Sequence, residues 1–213
     1  MGNKEKIVNS TIAIVCGGEI TNLNWLRTQL KEYSFIIAAD SGYDWCQKCG
    51  ITPNLVIGDL DSVKDNIDNS IEILKFPIKK DKTDFSLCLD YLIENGVKTA
   101  HAFGTVGGRV DHTLGAILSI LEAYEQGLQT IMKTENAAMF IVSDSITLQK
   151  TDSYVSVFAV GGDAFGVTLE GFEYPLNNFN LKCSSPLGVS NKIVSENAKI
   201  TLKSGKLFVI IQK

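Results

Sequence analysis

The chain has 213 residues and a formal net charge of −4, and 45% of its residues are hydrophobic, which is typical of a globular protein. The acidic balance argues against a general nucleic-acid-binding protein, which normally carries a basic excess or patch. A run of about eighteen apolar residues, as a membrane span requires, is absent, and the first residues lack the apolar segment of a signal peptide. We therefore expect a cytoplasmic protein with neither nucleic acid nor a membrane as partner.

Through about residue 132, short apolar segments alternate with helical patterns. Strands are predicted at 11–15, 35–39, 55–57 and 100–103, and each runs into small or acidic residues. Such strands are typical of a buried parallel sheet, and their alternation with helices indicates an α/β domain, which we assign to residues 1–134. Ligands bind such sheets at the carboxyl ends of the strands.

A C-x-x-C motif, Cys46-Gln-Lys-Cys49, lies in the helical pattern after the second strand. One interpretation is a redox motif, and the other is a pair of thiols that pack within a helix. A zinc site is unsupported, because the chain has no second C-x-x-C and only two histidines. The packing interpretation is favoured.

Two aspartates follow the strand predicted at 55–57. Asp59 and Asp61 stand at positions i and i+2, and in an extended chain such side chains share one face. Two adjacent carboxylates repel each other unless a divalent cation relieves the repulsion, so the pair predicts a metal site. The alternative is an ordinary turn, because Asp and Ser are common turn residues.

Asp81 and Asp84 precede a predicted helix. Its apolar stripe consists of Phe85, Cys88, Leu89, Leu92 and Ile93. Asp84 either completes the metal site at a helix N-terminus that faces phosphate, or is an ordinary acid in a capped first turn.

A glycine-rich segment, Phe103-Gly-Thr-Val-Gly-Gly-Arg-Val-Asp-His112, joins the next strand to a helix. Its glycines allow close approach of a ligand, and Arg109, expected to be buried in this loop, supplies a planar fork for phosphate. The alternative is a plain connector whose Asp111 caps the helix. The apolar stripe of that helix comprises Val110, Leu114, Ile117, Leu118 and Leu121, and Gly127 ends it.

After about residue 135 the pattern changes to short strands separated by turns. Strands are predicted at 140–142, 146–148, 155–160, 167–169 and 200–202, and a tight turn at 203–206 predicts a hairpin between 200–202 and 207–211. Without a convincing helix, residues 135–213 predict a small β-sandwich. The segments around Tyr174 and around Ser190-Asn191 are turns or loops whose residues alone specify no ligand.

Taken in order, these motifs resemble the thiamine pyrophosphokinase family, from about Ile12 to the C-terminus. The resemblance rests on six segments: Ala39-Asp-Ser-Gly42, Ile57-Gly-Asp-Leu-Asp-Ser62, Asp81-Lys-Thr-Asp-Phe85, Gly107-Gly-Arg-Val-Asp-His112, Gly171-Phe-Glu-Tyr-Pro-Leu176 and Gly188-Val-Ser-Asn191. It implies an α/β catalytic domain that binds nucleotide and metal, and a β-sandwich that binds thiamine and mediates dimerisation. It also implies a homodimer whose active sites lie between subunits. Two departures are Ser41, where the family commonly has glycine, and Tyr174, where some relatives have tryptophan.

The resemblance also implies roles for individual residues. Asp59, Asp61, Asp84 and Arg109 are expected to be catalytic, and the implied Mg²⁺ ligands are Asp59, Asp61 and Asp84, assisted by Asp81. Residues expected near ATP are Asp40, Thr105, Gly108, Arg109, Asp111 and His112. Residues expected near thiamine are Tyr174, Ser190 and Asn191.

The implied reaction is a Mg²⁺-dependent pyrophosphoryl transfer, in which the thiamine hydroxyl attacks the β-phosphorus of ATP and AMP leaves. The general base stays open among Asp59, Asp61 and Asp84. One alternative is a haloacid-dehalogenase-like phosphatase with Asp59 as nucleophile, because 59–63 matches its D-x-D-x-[TV] signature. That signature normally follows the first strand of its domain, whereas here at least two predicted strands precede the one that runs into Asp59. Another alternative is a nucleotide- or thiamine-binding module without turnover.

Overall fold

A computed structural model describes residues 10–60, 63, 67–77 and 81–213. The chain divides into two compact units, Met1–Glu135 and Asn136–Lys213. Within the described ranges, no helix is both long and apolar enough to cross a membrane.

The first unit is a parallel sheet with helices between its strands, which confirms the predicted α/β fold. The strands are β1 (Ile12–Val15), β2 (Ile36–Ala39), β3 (Leu55–Gly58), β4 (Glu72–Lys75), β5 (Thr99–Phe103) and β6 (Gln129–Lys133). The helices are α1 (Leu23–Leu30), α2 (Gly42–Lys48), α3 (Asp84–Glu94) and α4 (Val110–Glu125). The strand order is β6-β5-β1-β2-β3-β4, with parallel pairing throughout. Val15 lies opposite Ala38 and Phe103, so the carboxyl ends of three strands are level.

Burial of apolar side chains on both faces explains why β1, β2 and β3 are central. All residues of these strands are buried, and alternate side chains point to opposite faces. On one face, Val15 and Ala38 share a core cluster with Leu26 of α1 and Tyr43 of α2. Helix α3 packs against β2 and β3.

The C-x-x-C cysteines belong to this same core cluster. Cys46 and Cys49 are free and buried, and burial raises the pKa of the Cys46 thiol to about 12. Redox chemistry requires an accessible thiolate. The structure therefore favours the packing interpretation.

Helix α4 forms where it was predicted, but three residues of its apolar stripe do not face the core. Val110, Leu114 and Leu118 are 84%, 57% and 53% exposed. The buried residues of this helix are Ala116, Ser119, Ile120, Leu121 and Ala123. Periodicity places the helix correctly, whereas the apolar stripe lies largely on the surface of this chain.

His101 of β5 provides a test of the pH dependence of stability. Its Nδ1 lies 2.5 Å from the Tyr33 hydroxyl, and burial, with a smaller contribution from Lys133, lowers its pKa to about 4. In the unfolded chain the pKa of histidine is about 6.5. As the pH falls from 6.5 towards 4, the unfolded state therefore binds a proton that the folded state does not, and stability is lost.

We expect His101→Gln to lose less free energy of unfolding than the unmodified protein when the pH is lowered from about 7.5 to about 5. Urea unfolding at both pH values measures this difference. His112→Gln, at an exposed histidine, is the matched control and should follow the unmodified protein. Equal losses in all three proteins would contradict the prediction.

The second unit consists of two antiparallel sheets and confirms the predicted β-sandwich. Its strands are β7 (Ala137–Val142), β8 (Ser145–Gln149), β9 (Tyr154–Ala159), β10 (Ala164–Glu170), β11 (Leu176–Leu181), β12 (Asn191–Lys192), β13 (Asn197–Thr201) and β14 (Leu207–Gln212). One sheet has the order β12-β9-β14-β7 and the other β11-β10-β13-β8. Strands β9 and β13 alternate buried and more exposed residues, as strands of a sandwich do.

The predicted hairpin between β13 and β14 is wrong. Strand β13 pairs with β8 and β10, whereas β14 pairs with β7 and β9 in the other sheet. The connecting segment pairs instead with β10, because Phe165 N donates to Ser204 O at 2.9 Å and Lys203 N donates to Phe165 O at 2.9 Å. The turn residues therefore mark a crossing between sheets.

Candidate active site

A cavity of about 590 Å³ lies in the first unit. The carboxyl ends of β1, β2 and β5 and the first turns of α3 and α4 surround it, which is where ligands bind parallel sheets. Its lining residues are Cys16, Gly17, Gly18, Glu19, Ala39, Asp40, Ser41, Thr83, Asp84, Phe85, Gly104, Thr105, Gly107, Gly108, Arg109, Asp111, His112, Gly115 and Ala116. Seven of the residues expected at the site, Asp40, Asp84, Thr105, Gly108, Arg109, Asp111 and His112, are thus brought together.

Direct backbone packing brings two strand ends together at this cavity. Gly18 N donates to Gly104 O at 2.9 Å, and a Cβ on Gly18 would lie 2.4 Å from that oxygen. A Cβ on Gly104 would lie 2.3 Å from Cys16 O. Side chains at these positions would separate the strands. The segment 16–19 was not among the predicted site residues, although its glycines directly after β1 were an available signal.

Two carboxylate residues flank Gly58 at the end of β3. A Cβ on Gly58 would lie 3.1 Å from Asp40 Cβ and 3.2 Å from Asp84 Oδ1. Burial, and to a smaller extent the Asp84 carboxylate, raise the pKa of the Cys16 thiol. Asp40 has a left-handed backbone with φ of 46°, which aspartate tolerates better than most residues. Negative charge is therefore concentrated on this side of the cavity.

The predicted metal pair lies only partly within the described chain. Asp59 follows β3 directly, whereas Asp61 lies outside the described residues. Leu60 has φ of 66°, so the chain is not extended there, and the extended-chain reason for convergence of the two carboxylates is wrong. Asp59 and Asp81 do not line the cavity, and Asp81 is exposed.

The donor set fits Mg²⁺ shared with phosphate better than a site built from protein ligands alone. Within the described ranges, no three His, Cys, Asp or Glu side chains are grouped as metal ligands. Mg²⁺ at phosphate-binding sites usually takes one or two carboxylates, with phosphates and water as further ligands. Asp40 and Asp84 supply carboxylates of this kind at the cavity.

Thr105 has a buried hydroxyl group that lacks a hydrogen-bond partner among the described residues. The residue is only 7% exposed, and its Oγ1 has no hydrogen-bond partner in the described part of the chain. A buried hydroxyl without a partner costs roughly 1–3 kcal/mol. Because Thr105 lines the cavity, a bound polar group is the natural partner for its hydroxyl.

The glycine-rich loop reaches the cavity with a backbone that requires glycine. Gly107 and Gly108 have φ of 98° and 68°, values that residues with a Cβ rarely adopt. Arg109 follows them but is exposed rather than buried as predicted. Its guanidinium donates to Asp111, from Nη2 to Oδ2 at 2.6 Å and from Nε to Oδ1 at 3.2 Å.

This ion pair changes the interpretation of Asp111. The hydrogen bond from Arg109 lowers the pKa of the Asp111 carboxyl and raises the pKa of the guanidinium. Asp111 lies in the first turn of α4, after the N-cap position at Arg109, so it is not the helix cap. Both side chains are exposed at the edge of the cavity and available to a ligand.

Two helices begin at the cavity. Helix α3 is capped by Thr83, whose Oγ1 accepts a hydrogen bond from Ser86 N at 3.1 Å. Capping by Thr83 leaves the first-turn acid, Asp84, at the cavity. Helix α4 presents His112 in its own first turn. Since helix N-termini attract anions, the helix starts and the carboxylates together suit a phosphate chain that carries a cation.

The three residues expected near thiamine lie in the second unit and close to one another. Asn191, in β12, donates from Nδ2 to Tyr174 O at 2.7 Å and accepts at Oδ1 from Tyr174 N at 3.0 Å. Ser190 is exposed, and its N donates to Ser156 Oγ at 3.0 Å. Tyr174 is 64% exposed, whereas Asn191 is 5% exposed. The three residues therefore differ in their access to a ligand.

Comparisons with protein-family models match both units. Residues 26–132 match the model described as "Thiamin pyrophosphokinase, catalytic domain". Residues 144–207 match the model described as "Thiamin pyrophosphokinase, vitamin B1 binding domain".

Individual proteins show the same similarity. Thiamine pyrophosphokinase of Bacillus subtilis is 30% identical over 208 residues, which cover 94% of this chain and 97% of the relative. A crystal structure of thiamine pyrophosphokinase from Bacillus subtilis aligns with a TM-score of 0.87 at 26% identity, covering 95% of this chain and 99% of the other. Thiamin pyrophosphokinase from Candida albicans, at 14% identity, has a TM-score of 0.79 and covers 95% of this chain and 89% of its own, so it shows the shared fold.

Proposed function

The chain belongs to the thiamin pyrophosphokinase family, whose enzymes make thiamine diphosphate, and we propose that its cavity in the first unit transfers pyrophosphate from ATP to thiamine. The observation that carries the assignment of the site is the convergence of separate sequence segments on one cavity. Asp40, Asp84 and the pair Thr105 and Arg109 come from three different segments, and all four residues line it. Carboxylates, an unpartnered hydroxyl and two helix N-termini are the groups that a magnesium nucleotide requires.

The phosphate chain is proposed to lie between the carboxylates and the starts of the two helices. The Thr105 hydroxyl binds a phosphate oxygen, and the glycine-rich loop offers the backbone N–H of Gly108, while Gly107 N donates to Thr113 Oγ1 at 3.4 Å. Arg109 and Asp111 are both exposed and pair with each other. When ATP binds, Arg109 leaves Asp111 and contacts a phosphate group. His112, in the first turn of α4, also contacts the phosphate chain.

Asp59, Asp61 and Asp84, assisted by Asp81, are proposed to hold Mg²⁺, which when bound offsets the negative charge of the phosphates. One of the first three carboxylates accepts the proton of the thiamine hydroxyl as it attacks the β-phosphorus. Asp40 adds negative charge beside Asp84. Positioning and electrostatic stabilisation supply most of the catalysis in such a transfer.

Thiamine is proposed to contact the second unit, at Tyr174, Ser190 and Asn191, and the enzyme is proposed to be a homodimer. The exposed Val110, Leu114 and Leu118 on α4 support a second copy, because a contiguous apolar stripe favours burial in an interface. Sedimentation equilibrium is expected to give twice the 23.2 kDa mass of one chain. A mass of 23.2 kDa at micromolar concentration would exclude a stable homodimer.

The activity is tested by incubating the purified protein with ATP, Mg²⁺ and thiamine. We expect AMP and thiamine diphosphate to form in equal amounts, and neither to form without thiamine. Absence of both products would overturn the proposed function and favour a binding module. Release of inorganic phosphate from phosphate monoesters, with trapping of Asp59 by beryllium fluoride, would indicate the phosphatase instead, which the comparisons do not support. The cytoplasmic location stays a prediction.

Replacing Thr105 by valine is expected to weaken ATP binding without lowering the stability of the protein. Valine has nearly the same shape but lacks the buried hydroxyl without a partner, so the free energy of unfolding should be unchanged or about 1 kcal/mol higher. The KM for ATP should rise about tenfold, because a ligand hydrogen bond is lost. Thr130→Val is the matched control, since Thr130 is also buried, with a hydroxyl that has no partner among the described residues, but does not line the cavity. An unchanged KM for ATP in Thr105→Val would exclude the proposed contact.

A further inference from the structure

The side chain of Asn191 makes three hydrogen bonds to backbone groups, and two of them are to Tyr174. Its Oδ1 accepts from Tyr174 N at 3.0 Å and from Lys192 N at 2.9 Å, and its Nδ2 donates to Tyr174 O at 2.7 Å. Both main-chain polar groups of Tyr174 are thereby bound by a single amide. An amide oxygen accepts two hydrogen bonds, so Oδ1 has no acceptor capacity left.

Burial also separates Asn191 from any ligand at the surface. The residue is 5% exposed and lies in β12, opposite Val155 of β9. The backbone continues the contact, because Glu173 N donates to Lys192 O at 2.9 Å. The segment that carries Tyr174 is therefore attached to β12 as an additional short strand would be.

Neither the side chain of Tyr174 nor the residue after it replaces the bonds from Asn191. Its side chain is largely exposed, so packing against this chain does not fix the direction of the ring. The following Pro175 restricts the backbone of Tyr174 to extended conformations but does not anchor it. Within the described residues, Asn191 bonds both main-chain polar groups of Tyr174 directly, whereas the neighbouring residues are held through Glu173 N and through β11. The bonds from Asn191 therefore restrain where the ring projects.

We propose that Asn191 is a positioning residue that acts through Tyr174, and that the thiamine contacts of this surface come from Tyr174 and Ser190. This inference rests on the proposed function and revises the expectation that Asn191 touches thiamine. Ser190 differs from Asn191 because it is exposed and has a left-handed backbone with φ of 59°, which turns the chain immediately before β12.

A double-mutant cycle in the full-length protein tests the proposal through the KM for thiamine. Tyr174→Ala is expected to raise this KM about tenfold, because the stacking surface is lost, and Asn191→Ala by a similar factor. If Asn191 acts through the ring, the double variant should match Tyr174→Ala within about twofold. The KM for ATP should stay unchanged throughout, which a general structural defect would not allow.

Two further variants serve as a conservative comparison and a control for the double-mutant cycle. Asn191→Asp retains the two acceptor bonds but places a carboxylate oxygen against Tyr174 O in place of the donor, so its KM for thiamine should rise about as much as in Asn191→Ala. Asn180→Ala removes another side-chain bond to backbone, from Gly166 N to Asn180 Oδ1, and should leave the KM for thiamine unchanged.

Amide hydrogen exchange gives a readout that does not depend on activity. In Asn191→Ala, the Tyr174 amide should exchange at least about tenfold faster, because its acceptor is gone. Multiplicative effects of the two alanine substitutions on the KM for thiamine would overturn the proposal, since Asn191 would then contact thiamine directly. Unchanged exchange at Tyr174 would overturn the anchoring itself. Failure of the unmodified protein to form thiamine diphosphate would instead overturn the proposed function, and the role of Asn191 towards thiamine with it.

Discussion

Replacing Asp84 by asparagine is expected to lower kcat for thiamine diphosphate formation by about 100- to 1000-fold. Asparagine preserves the volume of the side chain and the first turn of α3, where Thr83 is the cap. It removes the negative charge beside Gly58 and Asp40, where the carboxylates are proposed to hold Mg²⁺. The measurement is the initial rate of AMP release at saturating ATP and thiamine over a range of Mg²⁺ concentrations, with the thermal midpoint recorded to show that the fold persists.

Asp90→Asn is the matched control, because Asp90 lies on the same helix but outside the cavity lining. Its carboxylate pairs with Lys82 Nζ at 2.7 Å, and a partly exposed pair contributes about 0–1 kcal/mol to stability. We expect kcat of this variant to stay within about twofold of the unmodified value.

The same large loss of kcat as in Asp84→Asn is expected for Asp59→Asn and Asp61→Asn. A normal rate in Asp84→Asn would remove Asp84 from the proposed site.

Replacing Gly42 by alanine is expected to lower the free energy of unfolding by about 3 kcal/mol. Gly42 is the first residue of α2, and a Cβ there would lie 1.9 Å from Val15 O and 2.6 Å from Val15 C. Val15 belongs to the buried strand β1, so α2 must move away from the sheet. Because Gly42 follows Ser41 at the cavity, the substitution should also raise the KM for ATP.

Gly115→Ala is the control for this stability experiment, since both glycines are helical. Gly115 lies inside α4, and the described residues leave open space at the position of its Cβ. Alanine is a better helix former than glycine, so stability should rise by about 0.5–1 kcal/mol. Urea unfolding of both variants at neutral pH measures the two changes. A shift of the same sign in both would show that contact with Val15 O does not decide the effect.

The elements that sequence reasoning located and those it missed differ in burial. Strands β1, β2 and β3 were predictable because each is a short run of buried apolar residues with clear boundaries. Strands β4, β6, β11 and β12 were not identified. Strands β4, β11 and β12 are terminal strands of their sheets in the described chain, and β6 carries the polar residues Gln129, Thr130 and Lys133. Edge strands are half solvated and carry polar or charged residues, as Glu72 and Lys75 of β4 do. Their hydrophobic pattern is therefore too weak to predict.

Sequence reasoning also could not determine which strands pair with each other or which face of a helix packs against the sheet. The chain bends at 203 and 205, but whether β14 returns beside β13 or crosses to the other sheet depends on which apolar face each strand buries. The stripe on α4 gave the right helix, whereas the exposure of Leu114 and Leu118 follows from which face of α4 meets the sheet. Local periodicity contains neither piece of information, because both depend on residues distant in the chain.

The sequence by itself determined the α/β and β-sandwich architecture, the family, and the segments that carry the site. Apolar periodicity, glycine positions and the order of the motifs can all be read along the chain without knowing which residues are in contact. Tertiary structure alone decided that Asp40, Asp84 and Thr105 share a cavity, since level strand ends bring distant segments together. It also decided that Arg109 is exposed and paired with Asp111, and that Asn191 is buried against the backbone of Tyr174. Burial and hydrogen-bond partners depend on what packs around a side chain, and only the folded chain supplies those neighbours.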